Sequence, residues 1–231
     1  MYARGAAIIV VGYDVTSKHT LDECECRIED VRPYIDDHCL IVAVGNKIDL
    51  SREVDREEAI SFFEKCGIPS SHYFETSAAT GEGVEEFLEG TLRLWYEAGQ
   101  SCLTEFSSNG SCCKDSSRKR GLMEGSKPVA LLNVQGTLSP KIVFVGESAT
   151  GAKTSLIFRI LNNTFPKDVP STIGASFSLH RVNVDGKQFK LEIWGLSSVF
   201  FLQKIISLFI LCVCLFDDVQ QILLVKNVFG V

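Results

Sequence analysis

Hydrophobic and polar positions follow two alternating rhythms along the first hundred residues. Ala7–Val15 (AIIVVGYDV) is an apolar, β-branched run of strand length. Thr20–Asp36 carries apolar residues at helical spacing between charged flanks and predicts a helix. His38–Val44 predicts a second strand, Arg56–Cys66 a second helix, Ser71–Glu75 a short strand and Gly83–Ala98 a long amphipathic helix. Near-continuous apolar strands alternating with such helices predict a parallel sheet covered on both faces.

The rhythm is lost after about Gln100. Ser107–Gly125 (SSNGSCCKDSSRKRGLMEG) is rich in Ser, Gly and charge, which predicts a flexible linker over residues 101–140. Lys141–Gly146 (KIVFVG) restores the strand pattern and runs through a Gly- and Ser-containing loop into a helix from about Lys153 to Asn162. Ala175–Val184 and Gln188–Trp194 read as two more strands, and Asp185-Gly186 between them is a hairpin signal. The tail then changes character: Leu196–Phe216 (LSSVFFLQKIISLFILCVCLF) is apolar almost throughout. Four regions result, 1–100, 101–140, 141–195 and 196–231.

A net charge of −6 over 231 residues gives no reason to expect nucleic acid as a partner. Cys24, Cys26, Cys39 and Cys66 fall inside helix- or strand-like runs rather than at disulfide-framework spacings, and no signal-peptide core opens the chain. A reducing cytoplasm is expected. His19, His38, His72 and His180 are scattered and no two Cys-x-x-Cys pairs occur, so zinc is not expected.

The candidate chemistry sits in loops after strands. Gly146–Thr154 reads GESATGAKT. A phosphate-binding loop, G-x-x-x-x-G-K-[ST], lies between a strand and a helix, because its backbone N–H groups wrap phosphates while its lysine reaches their outer oxygens. Here Ala152 lengthens the loop by one residue, and its Cβ would crowd the phosphates or displace Lys153. Alone, such a loop is equally an ordinary strand-to-helix turn. The sequences Val44–Asp49 (VGNKID) and Glu75–Ala78 (ETSA) each follow a strand. Asn46-Lys47-x-Asp49 is a guanine-reading pattern: a carboxylate accepts both donors of the purine edge, and a lysine stem covers the base. Ser77 and the Ala78 backbone would complete the pocket.

With these motifs in place, the chain resembles the Rab-type small GTPases of the Ras superfamily. Tyr2–Asp14, the GNKIDL run, Arg52–Val54 and ETSA resemble the second half of a Rab, and Lys141–Trp194 resembles the first, together about two-thirds of the chain. The resemblance implies a six-stranded, mostly parallel P-loop sheet with helices on both faces and circularly permuted strand order. It implies GTP or GDP with Mg²⁺ as cofactors. The phosphates would lie on Gly146, Glu147, Ser148, Gly151, Lys153, Thr154 and Ser155, and the base on Asn46, Lys47, Asp49, Ser77 and Ala78. Thr154 and Thr172 would hold Mg²⁺, Thr172 from a first-switch run Thr172-Ile173-Gly174. Phe177, Trp194 and Tyr2 match a surface triad read by Rab effectors, and exchange factors and vesicle traffic are implied with them. The family's Asp-x-x-Gly-Gln run is replaced by Gly195, Leu196 and Ser197, so no catalytic residue is assigned and hydrolysis is expected to be weakened.

The guanine half precedes the phosphate half, which leaves two histories open. One is circular permutation, for which a linker of about 40 residues reaches roughly 35 Å. The other is a join of two neighbouring units, for which the internal Cys112-Cys113 resembles a prenylation end that can no longer be used. Leu196–Phe216 is long enough for a bilayer, but Gln203 and Lys204 interrupt it. A membrane anchor, a packed helix, an exposed segment and translated non-coding sequence all stay open for it. The rival to nucleotide binding is a scaffold that keeps the fold and binds partners without nucleotide.

Overall fold

The computed structural model describes residues 2–108, 138–147, 150–166 and 175–196; side chains of 100–108 are not described. Strand β1 (Ile8–Asp14) is buried along all 7 residues, as expected of a run apolar on both faces. It pairs in parallel with β2 (Leu40–Asn46) on one side and β4 (Lys141–Gly146) on the other. Beyond β2 lies β3 (Tyr73–Thr76), also parallel. Beyond β4 lies β6 (Lys187–Leu196), and β5 (Ala175–Val184) closes that edge antiparallel to β6. The order is β3-β2-β1-β4-β6-β5. Strands from before and after residues 109–137 therefore share one sheet, joined at the β1–β4 ladder.

Successive residues of β1 serve opposite layers, as the two-residue repeat of a strand demands. Ile8 and Val10 join a core with Phe87, Leu92 and Trp95 of α3 (Val84–Ser108) and Leu156 of α4 (Thr154–Asn162). Ile9 and Val11 join the other core, with Leu21 and Ile28 of α1 (Lys18–Val31) and Phe63 of α2 (Arg56–Lys65). Helices thus cover both faces, as expected.

Departures from the sequence pattern have local causes. α1 ends at Val31 and a 3₁₀ turn follows over Arg32–Tyr34, because Pro33 lacks the N–H that another α-turn would need. α3 runs on through Ser108, eight residues past Gln100 into the stretch expected to be linker. Leu138 bridges Phe189 just before β4. The hairpin is a two-residue one: Val184 pairs with Lys187, and Asp185 and Gly186 adopt φ of 51° and 75°, the mirror-image turn that matches strand twist. Thr172, Ser148, Cys112-Cys113 and the apolar segment beyond Leu196 lie outside the described residues. Among the described residues no helix is long and apolar enough to cross a membrane.

The register sets the position of everything that follows. Asp14 lies beside Asn46, Asn46 beside Thr76, and Gly12 beside Gly146. Four strands therefore end on one edge, the carboxyl edge at which open α/β sheets bind ligands.

Candidate functional site at the carboxyl edge of the sheet

The loop from β4 to α4 is shaped by two glycines. Gly12 of β1 leaves a space that the Ala152 methyl occupies: a Cβ on Gly12 would lie 2.4 Å from the Ala152 Cβ. Ala152 is fully buried in the core beneath α3 and α4. The residue that lengthens the loop therefore turns its methyl into the sheet, and the expected crowding of the loop interior does not occur. Gly151 adopts φ of +69°, and a Cβ there would meet the Asn46 Nδ2 at 2.7 Å. Only glycine satisfies both the conformation and the space.

Asn46 ties three loops together from a side chain only 1% exposed. Its Nδ2 donates to the Thr150 carbonyl at 3.2 Å, across to the β4–α4 loop. Its Oδ1 accepts from the Ala78 N–H at 3.0 Å and from the Thr76 hydroxyl at 3.3 Å. Asp49 is exposed, and one of its oxygens accepts the Ser77 hydroxyl at 2.6 Å. The Ser77 oxygen in turn accepts the Thr80 N–H at 3.0 Å. Lys47 sits at φ of 70°, and its ammonium lies 2.5 Å from a carboxylate oxygen of Asp14. The other Asp14 oxygen accepts the Thr16 N–H at 2.9 Å and hydroxyl at 2.7 Å.

Lys153 closes the loop on itself. Its ammonium donates to the Gly146 carbonyl at 2.8 Å and to the Glu147 carbonyl. The side chain is buried, and that burial pushes its pKa down to about 8; the Glu147 carboxylate opposes the shift and Arg27 adds to it. Arg27, from α1, donates to the Glu147 carboxylate at 2.7 Å. Thr154 opens α4 and Ser155 is buried behind it. The positive end of α4 and a buried ammonium thus flank one turn of backbone, an arrangement suited to an anion.

The structure accordingly brings Asn46, Lys47, Asp49, Ser77 and Ala78 to the same edge as Gly146, Glu147, Gly151, Lys153, Thr154 and Ser155. Phe177, Trp194 and Tyr2 form a separate stack, with Trp194 4.7 Å from Phe177 and 5.5 Å from Tyr2 between ring centroids. Phe177 is 50% exposed.

The profile of the Ras family matches residues 1–97 and 141–197, two-thirds of the chain. This chain belongs to the Ras family. It is also similar to "Putative ras-related protein Rab-5B" of Dictyostelium discoideum, 36% identical over 96 residues. That alignment covers 41% of this chain and 44% of the relative, so the chain spans under half the length of the protein it matches. The two matched stretches of the Ras-family profile carry the strands that the β1–β4 ladder joins. Guanine nucleotide with Mg²⁺ is the ligand common to Ras-family GTPases. The residues present fit such a group: the exposed Asp49 carboxylate, the turn at Gly151 beside Asn46, and the buried Lys153 at the N-terminus of α4. For Mg²⁺ the described residues offer the Thr154 hydroxyl; Thr172 lies outside them.

Three contacts at this edge of the sheet were not visible in the motifs. Asp14 holds Lys47, Thr150 supplies the carbonyl that receives Asn46, and Arg27 holds Glu147. Asp14 had a usable signal, since it ends an apolar strand as Asn46 does. Arg27 had none, because its partner lies 120 residues away.

Proposed function

We propose that this Ras-family chain is a guanine-nucleotide-binding protein of the small GTPase type, with residues 1–97 and 141–196 forming one circularly permuted domain. The observation that carries the reading is the Asn46 side chain, which hydrogen-bonds to both the Ala78 backbone and the Thr150 carbonyl. A residue of the proposed base-reading motif thereby ties its own loop to the proposed phosphate loop, although the two lie 104 residues apart in the sequence. In this reading Asp49 accepts the guanine edge, the Lys47 stem lies over the ring, and Lys153 and the first turn of α4 receive the phosphates. Thr154 and Thr172 supply hydroxyls to Mg²⁺, whose role is to neutralise phosphate charge.

Hydrolysis is proposed to be weak, since Gly195-Leu196-Ser197 stands where the family carries its Asp-x-x-Gly-Gln run and supplies no glutamine. The traffic role follows the Rab resemblance, supported by the exposed Phe177 stack as a protein-binding patch. The membrane contact is assigned to the apolar segment 196–216 of a cytoplasmic protein.

The test is titration of the full chain with fluorescent GDP and Mg²⁺, followed by competition with GTP and with ATP. The reading expects saturable binding that GTP displaces and ATP does not. Asp49→Ala is expected to erase that preference while changing fold stability by under about 1 kcal/mol, because the side chain is exposed. Equal competition by both nucleotides would remove the guanine assignment. A folded chain that binds neither would leave the scaffold reading.

A further inference from the structure

Glu147 poses an electrostatic problem for a loop that receives phosphates. It is the first residue after β4, and its backbone carbonyl is already bonded to the Lys153 ammonium. On the proposed reading its carboxylate adds a negative charge to the loop assigned to the phosphates. Like charges a few ångströms apart in a partly dry site repel strongly.

The charge is met from a different element. Arg27 lies on the face of α1 turned to β4, its side chain only 11% exposed, and its guanidinium reaches the Glu147 carboxylate at 2.7 Å. The guanidinium is steadied from its own helix by Glu23 at 3.5 Å and Asp30 at 3.7 Å, one turn before and one turn after. Arg27 and Glu147 also act on Lys153 in opposite senses, the carboxylate favouring its charged form and the guanidinium opposing it.

We propose that Arg27 is a charge-compensating positioning residue, which neutralises Glu147 so that the β4–α4 loop accepts the phosphates of a guanine nucleotide. This deepens the nucleotide-binding reading and rests on it. Two consequences separate it from a merely structural ion pair. First, the two single substitutions act in opposite directions. Arg27→Ala bares the carboxylate and weakens binding, whereas Glu147→Gln removes the repulsion and tightens it. A structural contact would be broken by either, and both would weaken binding. Second, the effect of Arg27→Ala grows with the number of phosphates, because it acts on charge and not on the base.

The experiment measures the affinity of the full chain for fluorescent GMP, GDP and GTP at physiological and at high salt, with thermal denaturation of each variant. Arg27→Ala is expected to lose about tenfold for GTP, less for GDP and little for GMP, with the spread narrowing at high salt. Arg27→Lys keeps most of the affinity, and Arg27→Ala combined with Glu147→Gln returns to within about twofold of the parent. Equal losses for all three nucleotides, or loss on Glu147→Gln, would overturn the proposal while leaving nucleotide binding intact. A folded parent chain that binds none of the three would overturn the nucleotide reading and this proposal with it.

Discussion

Lys153 has its ammonium on two backbone carbonyls of its own loop and little contact with water, and burial lowers its pKa to about 8. The unfolded chain holds that proton up to about 10.4. Between those values the unfolded state binds more protons than the folded one, so stability attributable to Lys153 rises with pH across about 8 to 10.4. Below pH 8 the folded protein carries the full cost of a buried charge. Lys153→Met is therefore expected to exceed the parent in stability by about 1–3 kcal/mol at neutral pH, with the gap closing as pH climbs through that window. Urea midpoints of the two proteins at three pH values measure it, and nucleotide affinity of the variant should be lost throughout. Gly12 carries a second prediction at this scale. Gly12→Ala drives a methyl to 2.4 Å from Ala152, which should cost about 1–3 kcal/mol by overpacking and shift the loop between β4 and α4. Pairing it with Ala152→Gly should recover most of the loss in a thermal melt.

The four residues of β3 make a short strand, yet a polar chain that starts at a buried tyrosine pair and ends on exposed arginines fixes it to β1 and to the turn before α2. The Tyr13 and Tyr73 hydroxyls are 2.7 Å apart, and Tyr73 donates to Glu75 at 2.9 Å. Arg52 grips both Glu75 oxygens at 2.8 and 2.7 Å, and Arg56 adds a contact at 3.1 Å. Burial works against ionisation of Glu75, but the Arg52 and Tyr73 hydrogen bonds outweigh it and hold the carboxyl below its usual range. Its contribution is thus present above the ordinary carboxylate pKa and lost as pH falls through the lowered one. Glu75→Gln is expected to cost about 1–3 kcal/mol at pH 7 and progressively less in acid, as denaturant midpoints at pH 7 and pH 3 would show. Elements of this kind were legible to different depths in the sequence. β1 and β4 were plain because saturated apolar runs admit few alternatives. β2 was read two residues early, since only its pairing of Leu40 with Ile8 and Asn46 with Asp14 fixes where it starts and stops. The short motifs of the site were legible because their residues are contiguous. The placement of Ala152 was not legible for the opposite reason: nothing local reveals that Gly12, in a strand 140 residues away, leaves room for its methyl.

Over the whole molecule, the seam between the halves is five residue pairs of parallel ladder, Ile8 with Ile142 through Gly12 with Gly146. Cores on both faces cross that seam: Ile142 and Phe144 sit with Ile8 and Val10, and Val143 and Val145 with Ile9 and Val11. Covalent continuity through 109–137 is then not what holds the sheet. Cleavage at a protease site introduced there is expected to leave one gel-filtration peak, with a melting temperature that now depends on concentration, as a two-chain fold requires. The same seam has a consequence in time. β1 is complete at Asp14, and its neighbour begins 127 residues later at Lys141. At about 5–20 residues per second, a ribosome takes roughly 6–25 s to deliver the second from the first. For that interval a strand destined for the centre of the sheet has one edge open, the condition under which strands recruit one another between chains. Translation speed through residues 15–140 thus becomes a determinant of how much of the newly made protein escapes aggregation.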